Sequence, residues 1–228
     1  MKLKNIYLSL VLMVLSAVFM AGCGGSGRQM LFNGKDLKGW KLYVEDPEVD
    51  VNKVWSVKGG VIRCEGKPYG YMRTNKAYSN YKLHIEWRWP EKPTNSGVLL
   101  HASEPDKMWI RSIEAQLMAG NAGDIILIDG VGLTVNGVRY QDDDGQPYIQ
   151  KEHDSNEKEA GRWNSYDIIC CGDSIQLYVN RKLQNEGVQA TPDNGYICLQ
   201  SEGSPIEFRN IYIEPCMEVS SMTKDKDY

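Results

Sequence analysis

The chain has 228 residues, with 26 Lys and Arg against 30 Asp and Glu, and a formal net charge of −4. That length suits one domain with a sizeable core or, at a stretch, two small ones. A mildly acidic chain lacks the positive field that nucleic acid or an anionic lipid surface requires, so neither is expected as a partner.

At the N-terminus, Lys2 and Lys4 precede an almost unbroken apolar run from Ile6 to Met20, and Met20-Ala-Gly-Cys23 sets small residues before a cysteine. About 15 apolar residues fall short of the roughly 20 that span a bilayer, so the run reads as the core of a signal peptide. The Ala-Gly-Cys ending looks like a lipobox, which implies cleavage before Cys23 and acylation of that residue. The expected organisation is a signal peptide over 1–22 and a short polar tether carrying lipidated Cys23 over 23–30. The protein is then lipid-anchored in the cell envelope, at the inner or outer membrane. Losing Lys2 and Lys4 leaves 24 basic against 30 acidic residues, a mature net charge of −6.

Beyond the tether the chain is β-rich. Strand candidates in chain order are Val54–Val57, Val61–Cys64, Tyr81–Trp89, Val98–Ala102, Ile113–Met118, Tyr166–Cys170, Ile175–Val179, Tyr196–Ser201 and Ile206–Ile213. The Tyr81 segment alternates strictly, with Lys82, His84, Glu86 and Arg88 on one face and apolar residues on the other; His84 is expected in solvent. Lys58-Gly-Gly60, Pro68-Tyr-Gly70 and Asp142-Asp-Asp-Gly145 punctuate the strands as turns. Many antiparallel strands without a sustained helical period predict two packed sheets, a sandwich or jelly roll. One domain is expected over 31–216, with a polar tail over 217–228. Cys64, Cys170, Cys171, Cys198 and Cys216 show no metal-type spacing. They read as mostly buried thiols with one disulfide possible, and adjacent Cys170 and Cys171 cannot both face the core.

Alternation also sorts the polar side chains. Glu114 and Gln116 share a face, about 7 Å apart along the strand. His101 is placed with Leu99, Gln200 and Glu202 with Cys198, and Glu207 with Arg209. A sheet face carrying carboxylates, amides, a histidine and tryptophans suits a sugar, although every antiparallel sandwich also has a merely solvated outer face. A serine nucleophile elbow, a zinc-type HExxH and a phosphate-binding loop are all missing. So is the paired-acid ExDxxE pattern of sandwich-fold glucanases, since Ala-Gln-Leu-Met-Ala comes after Glu114.

Six segments in order resemble one family: Leu31-Phe-Asn-Gly-Lys-Asp-Leu-Lys-Gly-Trp40, Asn95-Ser-Gly-Val-Leu-Leu-His101, Ile113-Glu-Ala-Gln116, Gly161-Arg-Trp-Asn164, Leu199-Gln200 and Phe208-Arg-Asn-Ile211. The chain resembles the 3-keto-disaccharide hydrolase domain family from about Leu31 to Glu214. The resemblance implies an all-β, concanavalin A-like jelly-roll sandwich of two antiparallel sheets that cleaves 3-keto-glycosides. The chain departs from the family where His101 replaces a common arginine, Glu202 a common histidine, and Asn180-Arg181 a common Asn-Gly turn. A C3 ketone acidifies the C2 proton, so a base can remove it, expel the C1 oxygen and let water add back. Glu114 or His101 is expected as that base. Gln116, Asn95, Trp109, Lys107, His153, Gln200, Glu202 and Arg209 are the candidate substrate-binding residues. A divalent cation, if one takes part, would lie on His101, Glu114 and Glu202. The expected partners are a small carbohydrate and an oxidoreductase that supplies the keto sugar. The alternatives are a non-catalytic glycan-binding module and a conventional glycosidase pairing Glu114 with Glu202 or Glu207.

Overall fold

A computed structural model describes residues 27–141 and 145–216. The expected signal peptide, Cys23, most of the tether, the centre of the Asp142–Gly145 turn and the 217–228 tail lie outside the described residues.

The strands are β1 (Gln29–Met30), β2 (Trp40–Val44), β3 (Trp55–Lys58), β4 (Val61–Cys64), β5 (Gly70–Thr74), β6 (Tyr81–Arg88), β7 (Gly97–Ala102), β8 (Ser112–Gln116) and β9 (Ile125–Ile128). They continue with β10 (Gly132–Val135), β11 (Val138–Gln141), β12 (Tyr148–Ile149), β13 (Asn164–Cys171), β14 (Ser174–Val179), β15 (Lys182–Thr191), β16 (Tyr196–Ser201) and β17 (Ile206–Pro215). They form two antiparallel sheets, as expected. Among the described residues the back sheet has 10 strands in the order β11-β10-β15-β14-β13-β6-β17-β4-β3, with β1 also paired to β17. The front sheet has 7, ordered β12-β9-β8-β7-β16-β5-β2. Gln29 and Met30 pair with Ile213 and Tyr212, so the folded domain begins inside the segment read as tether.

Period-two burial explains the stacking. On β6, Tyr81, Leu83, Ile85 and Trp87 are buried, and they join Tyr166, Ile168, Phe208, Val98, Leu100, Ile113 and Leu199 in one interior cluster between the sheets. A second, smaller cluster lies on the outer side of the front sheet: Tyr71, Leu99, Ala102, Ile110, Ile128 and Cys198. An outer face that is itself apolar and buried must be covered. Part of the cover is the β7–β8 connection, whose Asp106 accepts from the Tyr71 hydroxyl and from Arg73.

The cysteines separate as alternation requires. Cys170 is buried, while Cys171 points away and forms a disulfide with Cys216; Cys64 and Cys198 are buried free thiols. His84 differs from expectation. Its ring stacks on Tyr212 and its Nδ1 meets Asp167, leaving the side chain only 19% exposed.

Candidate active site

The front sheet carries the site on its outer face. Cross-strand register aligns Arg73, Cys198, Leu99, Glu114 and Ile126 in one row, since Cys198 pairs with Arg73 and Leu99, and Glu114 with Leu99 and Ile126. One step along, Tyr71 pairs with Gln200, and Gly97 with Gln116. Glu114, Gln116 and Gln200 thus converge from β8 and β16 across β7, where Gly97 leaves room. A Cβ on Gly97 would lie 2.3 Å from Glu114 Oε1 and 2.9 Å from Gln200 Oε1. The missing side chain is therefore what lets these two groups meet. Gly97 lies within the Asn95–His101 motif, but only register reveals this role.

The local electrostatics are unusual. Glu114 is 3% exposed, and its carboxyl is pushed up to about 8, first by burial and then by the negative charge of Glu202. Glu202 is itself raised by burial, against a lowering hydrogen bond with Asn95. Glu114 Oε1, Gln200 Oε1 and Asn95 Oδ1 are all buried and find no hydrogen-bond partner among the described residues. Buried acceptors normally find donors. A proton on Glu114 or the hydroxyls of a ligand can supply them. Gln116 is already fixed, since its Oε1 accepts from the backbone N–H groups of Leu117 and Met118, both at 2.8 Å.

Two expected members of the site lie elsewhere. Simple alternation puts His101 on Leu99's face, but β7 and β16 shift register between Tyr196 and Cys198, and His101 takes a φ of +53°. This bulge turns its ring inward, edge-on to Tyr81 at 6.0 Å, with Nδ1 3.0 Å from the Pro192 carbonyl. Burial lowers its pKa, favouring neutral imidazole. Arg209 sits on the outer face of the back sheet, where its Nε donates to Glu86 at 2.6 Å and its guanidinium covers Trp163. Glu207 is on that sheet too, bound to Arg88, which removes it as a carboxylate partner for Glu114. With His101 turned inward, His101, Glu114 and Glu202 do not form a ligand set. Among the described residues, no group of three or more His, Cys, Asp or Glu side chains is arranged to hold a metal.

The remaining candidates lie at the margins of the front face. Lys107 and Trp109 line a hollow with Ile128 and Asp129, and Lys107 Nζ is 2.6 Å from Asp129 Oδ2. His153 lines a second hollow with Tyr148, Asp124 and Lys151. Sequence pattern alone does not single out Tyr148 or Asp124. The first lies on a two-residue strand, and the second only precedes an apolar run.

Residues 27–214 match the profile of the 3-keto-alpha-glucoside-1,2-lyase-like domain. The chain belongs to that family. It is a carbohydrate-active protein with a jelly-roll fold. A structure from Parabacteroides distasonis, named provisionally as a glycosyl hydrolase, is 23% identical with a TM-score of 0.61, covering 84% of this chain and 94% of that one. The Bacillus licheniformis β-glucanase superposes with a TM-score of 0.52 at 15% identity, over 86% and 100% of the two chains. The carbohydrate-binding module CBM66 of Bacillus subtilis gives 0.53 at 11% identity, over 77% and 95%. At such identities the likeness is one of fold. A comparison with curated proteins finds no match.

Proposed function

We propose that this protein is a hydrolase that cleaves 3-keto-glycosides, 3-keto-disaccharides among them, by elimination and rehydration, with Glu114 as the proton-transfer group. The observation that carries this reading is a buried carboxyl raised to about 8 among unpartnered acceptors on the outer face of the front sheet. Proton transfer works best when the group's pKa lies near the working pH. In the first step, ionised Glu114 takes the C2 proton, and the electron pair is held as the enolate of the C3 ketone. The enolate then re-forms the ketone, makes a C1–C2 double bond and expels the C1 oxygen, which takes up the proton that Glu114 removed and leaves as an alcohol, so that Glu114 is again ionised. In the second step water adds at C1 and C2 regains a proton, so the net change is hydrolysis with no redox step. Asn95, Gln116 and Gln200 would hold the sugar hydroxyls or the enolate oxygen. The family's own description as a 1,2-lyase-like domain supports such an elimination.

A second reading has one specific observation in its favour. Glu202 is close enough for its charge to raise Glu114, so the two could serve as the acid pair of a conventional glycosidase. Incubation with a 3-keto-disaccharide beside its unoxidised parent, with product NMR as the readout, separates the possibilities. Cleavage of the keto sugar alone is expected. Cleavage of the parent would favour the carboxylate pair, and saturable binding without product would favour a glycan-binding module.

The same proposal places the enzyme in the cell envelope, lipid-anchored through Cys23, and requires an oxidoreductase to supply its substrate. The Cys171–Cys216 disulfide supports an oxidising compartment. Mass spectrometry of the mature N-terminus checks the anchor: an unmodified Cys23 would remove it.

A further inference from the structure

Glu114 stands between a closed half and an open half of the front face. On the closed side the β7–β8 connection folds back over β5 and β2. Asp106 takes Arg73 Nε at 2.8 Å, the Tyr71 hydroxyl at 3.0 Å and Lys41 Nζ at 2.6 Å. Burial alone would raise Asp106, yet these partners hold its carboxyl down at about 2. Beneath it Tyr71, Leu99 and Cys198 are buried, so a sugar ring has no room on that side.

On the other side the face opens. Tyr148 pairs with Ile126, and Ile126 with Glu114, which puts Tyr148 in Glu114's own row two strands away, roughly 10 Å at the usual strand spacing. Ile149 is buried in the core, so its neighbour Tyr148 faces outward, 41% exposed. The Tyr148 hydroxyl donates to Asp124, and Asp124 also accepts from the Lys151 backbone N–H at 2.8 Å. The Lys151 ammonium is pinned on the Gly120 carbonyl at 2.8 Å. These residues, with Asn121 and His153, line a hollow of about 390 Å³. An aromatic face beside half-buried Ile126, walled by fixed donors and acceptors, matches the two-sided chemistry of a pyranose.

We propose that the Tyr148 hollow seats the sugar that leaves, while the keto ring lies terminally over Glu114 against the Asp106 wall. This inference rests on the function proposed above. The test compares a 3-keto-disaccharide with the methyl glycoside of the same keto sugar, which has no second ring. Tyr148→Ala should lower the ratio of kcat/KM for the disaccharide to that for the methyl glycoside about tenfold, the worth of one aromatic contact. The loss should lie mainly in KM, and Tyr148→Phe, which keeps the ring, should restore most of the ratio. An unchanged ratio in an active Tyr148→Ala protein removes the subsite and leaves the function standing. A wild-type protein inactive on both keto substrates removes the function, and the subsite with it.

Discussion

Glu114→Gln is the substitution whose consequences are most constrained. In the folded protein the carboxyl is raised from 4.5 to about 8, so the native state holds its proton more tightly than the unfolded chain does. Stability tied to this group is present below pH 4.5, falls as pH rises toward 8, and levels off beyond. At about 1.4 kcal/mol per pH unit, the wild type loses about 3 kcal/mol by pH 7 and up to about 5 above pH 8. Glutamine keeps the shape, carries no charge and brings an N–H donor toward the unpartnered Gln200 Oε1. The variant should therefore match the wild type near pH 4.5 and gain on it steadily to pH 8, while losing about 10²-fold or more in turnover of a keto-glycoside. Urea unfolding of both proteins at pH 5, 6, 7 and 8 measures the difference. A gap that stays constant over that range would show that Glu114 titrates normally in the fold, and the argument from burial would fail.

Three other outcomes rest on single features. If Glu114 is the base, kcat/KM should climb about tenfold per pH unit toward a plateau beginning near 8; a falling limb there would make it an acid instead. Gly97→Ala should fold normally but lose most activity, because its Cβ would displace Glu114 and Gln200 rather than strain the backbone; full turnover in a folded variant would count against the convergence. Arg181, exposed in the β14–β15 hairpin at a φ of +69°, holds a conformation that costs a non-glycine residue about 1 kcal/mol. Arg181→Gly should raise Tm by about 2–4 °C, and a lower Tm would reveal a contact that compensates the arginine.

Much of the sandwich is legible in the sequence because its back sheet obeys a simple period. The alternation of Tyr81–Arg88 predicts its observed face assignment residue by residue. The front sheet is harder to read because several of its strands are buried on both sides. Gly70–Thr74 is buried throughout, which hides Tyr71 and Arg73 from a pattern search, and Ile125–Ile128 reads as apolar in every direction. Parity arguments correctly put Glu114 with Gln116, and Gln200 with Cys198, because β8 and β16 are regular there; that the two pairs meet across β7 follows only from the register. The same argument misplaces His101 at the bulge, since an extra residue in a strand reverses every face beyond it. Arg209 is misplaced for a different reason: alternation assigns a face within a strand, not the sheet to which that strand belongs.

The two outer faces explain why the front one, rather than a merely solvated surface, carries the chemistry. On the outer face of the back sheet several polar side chains pair with one another, Arg88 with Glu207, Arg63 with Glu65, Arg209 with Glu86 and Gln176 with Glu186, although Gln184 and Asn185 on β15 also bury an oxygen without a partner among the described residues. Such pairs sit in or near water, add little stability and need nothing further. On the front face Glu114 and Gln200 are buried and Asn95 half-buried, each with a buried oxygen that no donor among the described residues meets, and one of them is a carboxyl whose ionisation is pushed up to about 8. Each such group costs stability of the order of 1–3 kcal/mol, which a surface serving only solubility would not retain. A sugar presents hydroxyl donors along its edge for the unmet oxygens and, beside its ketone, a labile proton for the ionised form of Glu114. The unsatisfied groups and the raised carboxyl thus describe one binding partner between them, and Gly97 leaves the space in which Glu114 and Gln200 converge.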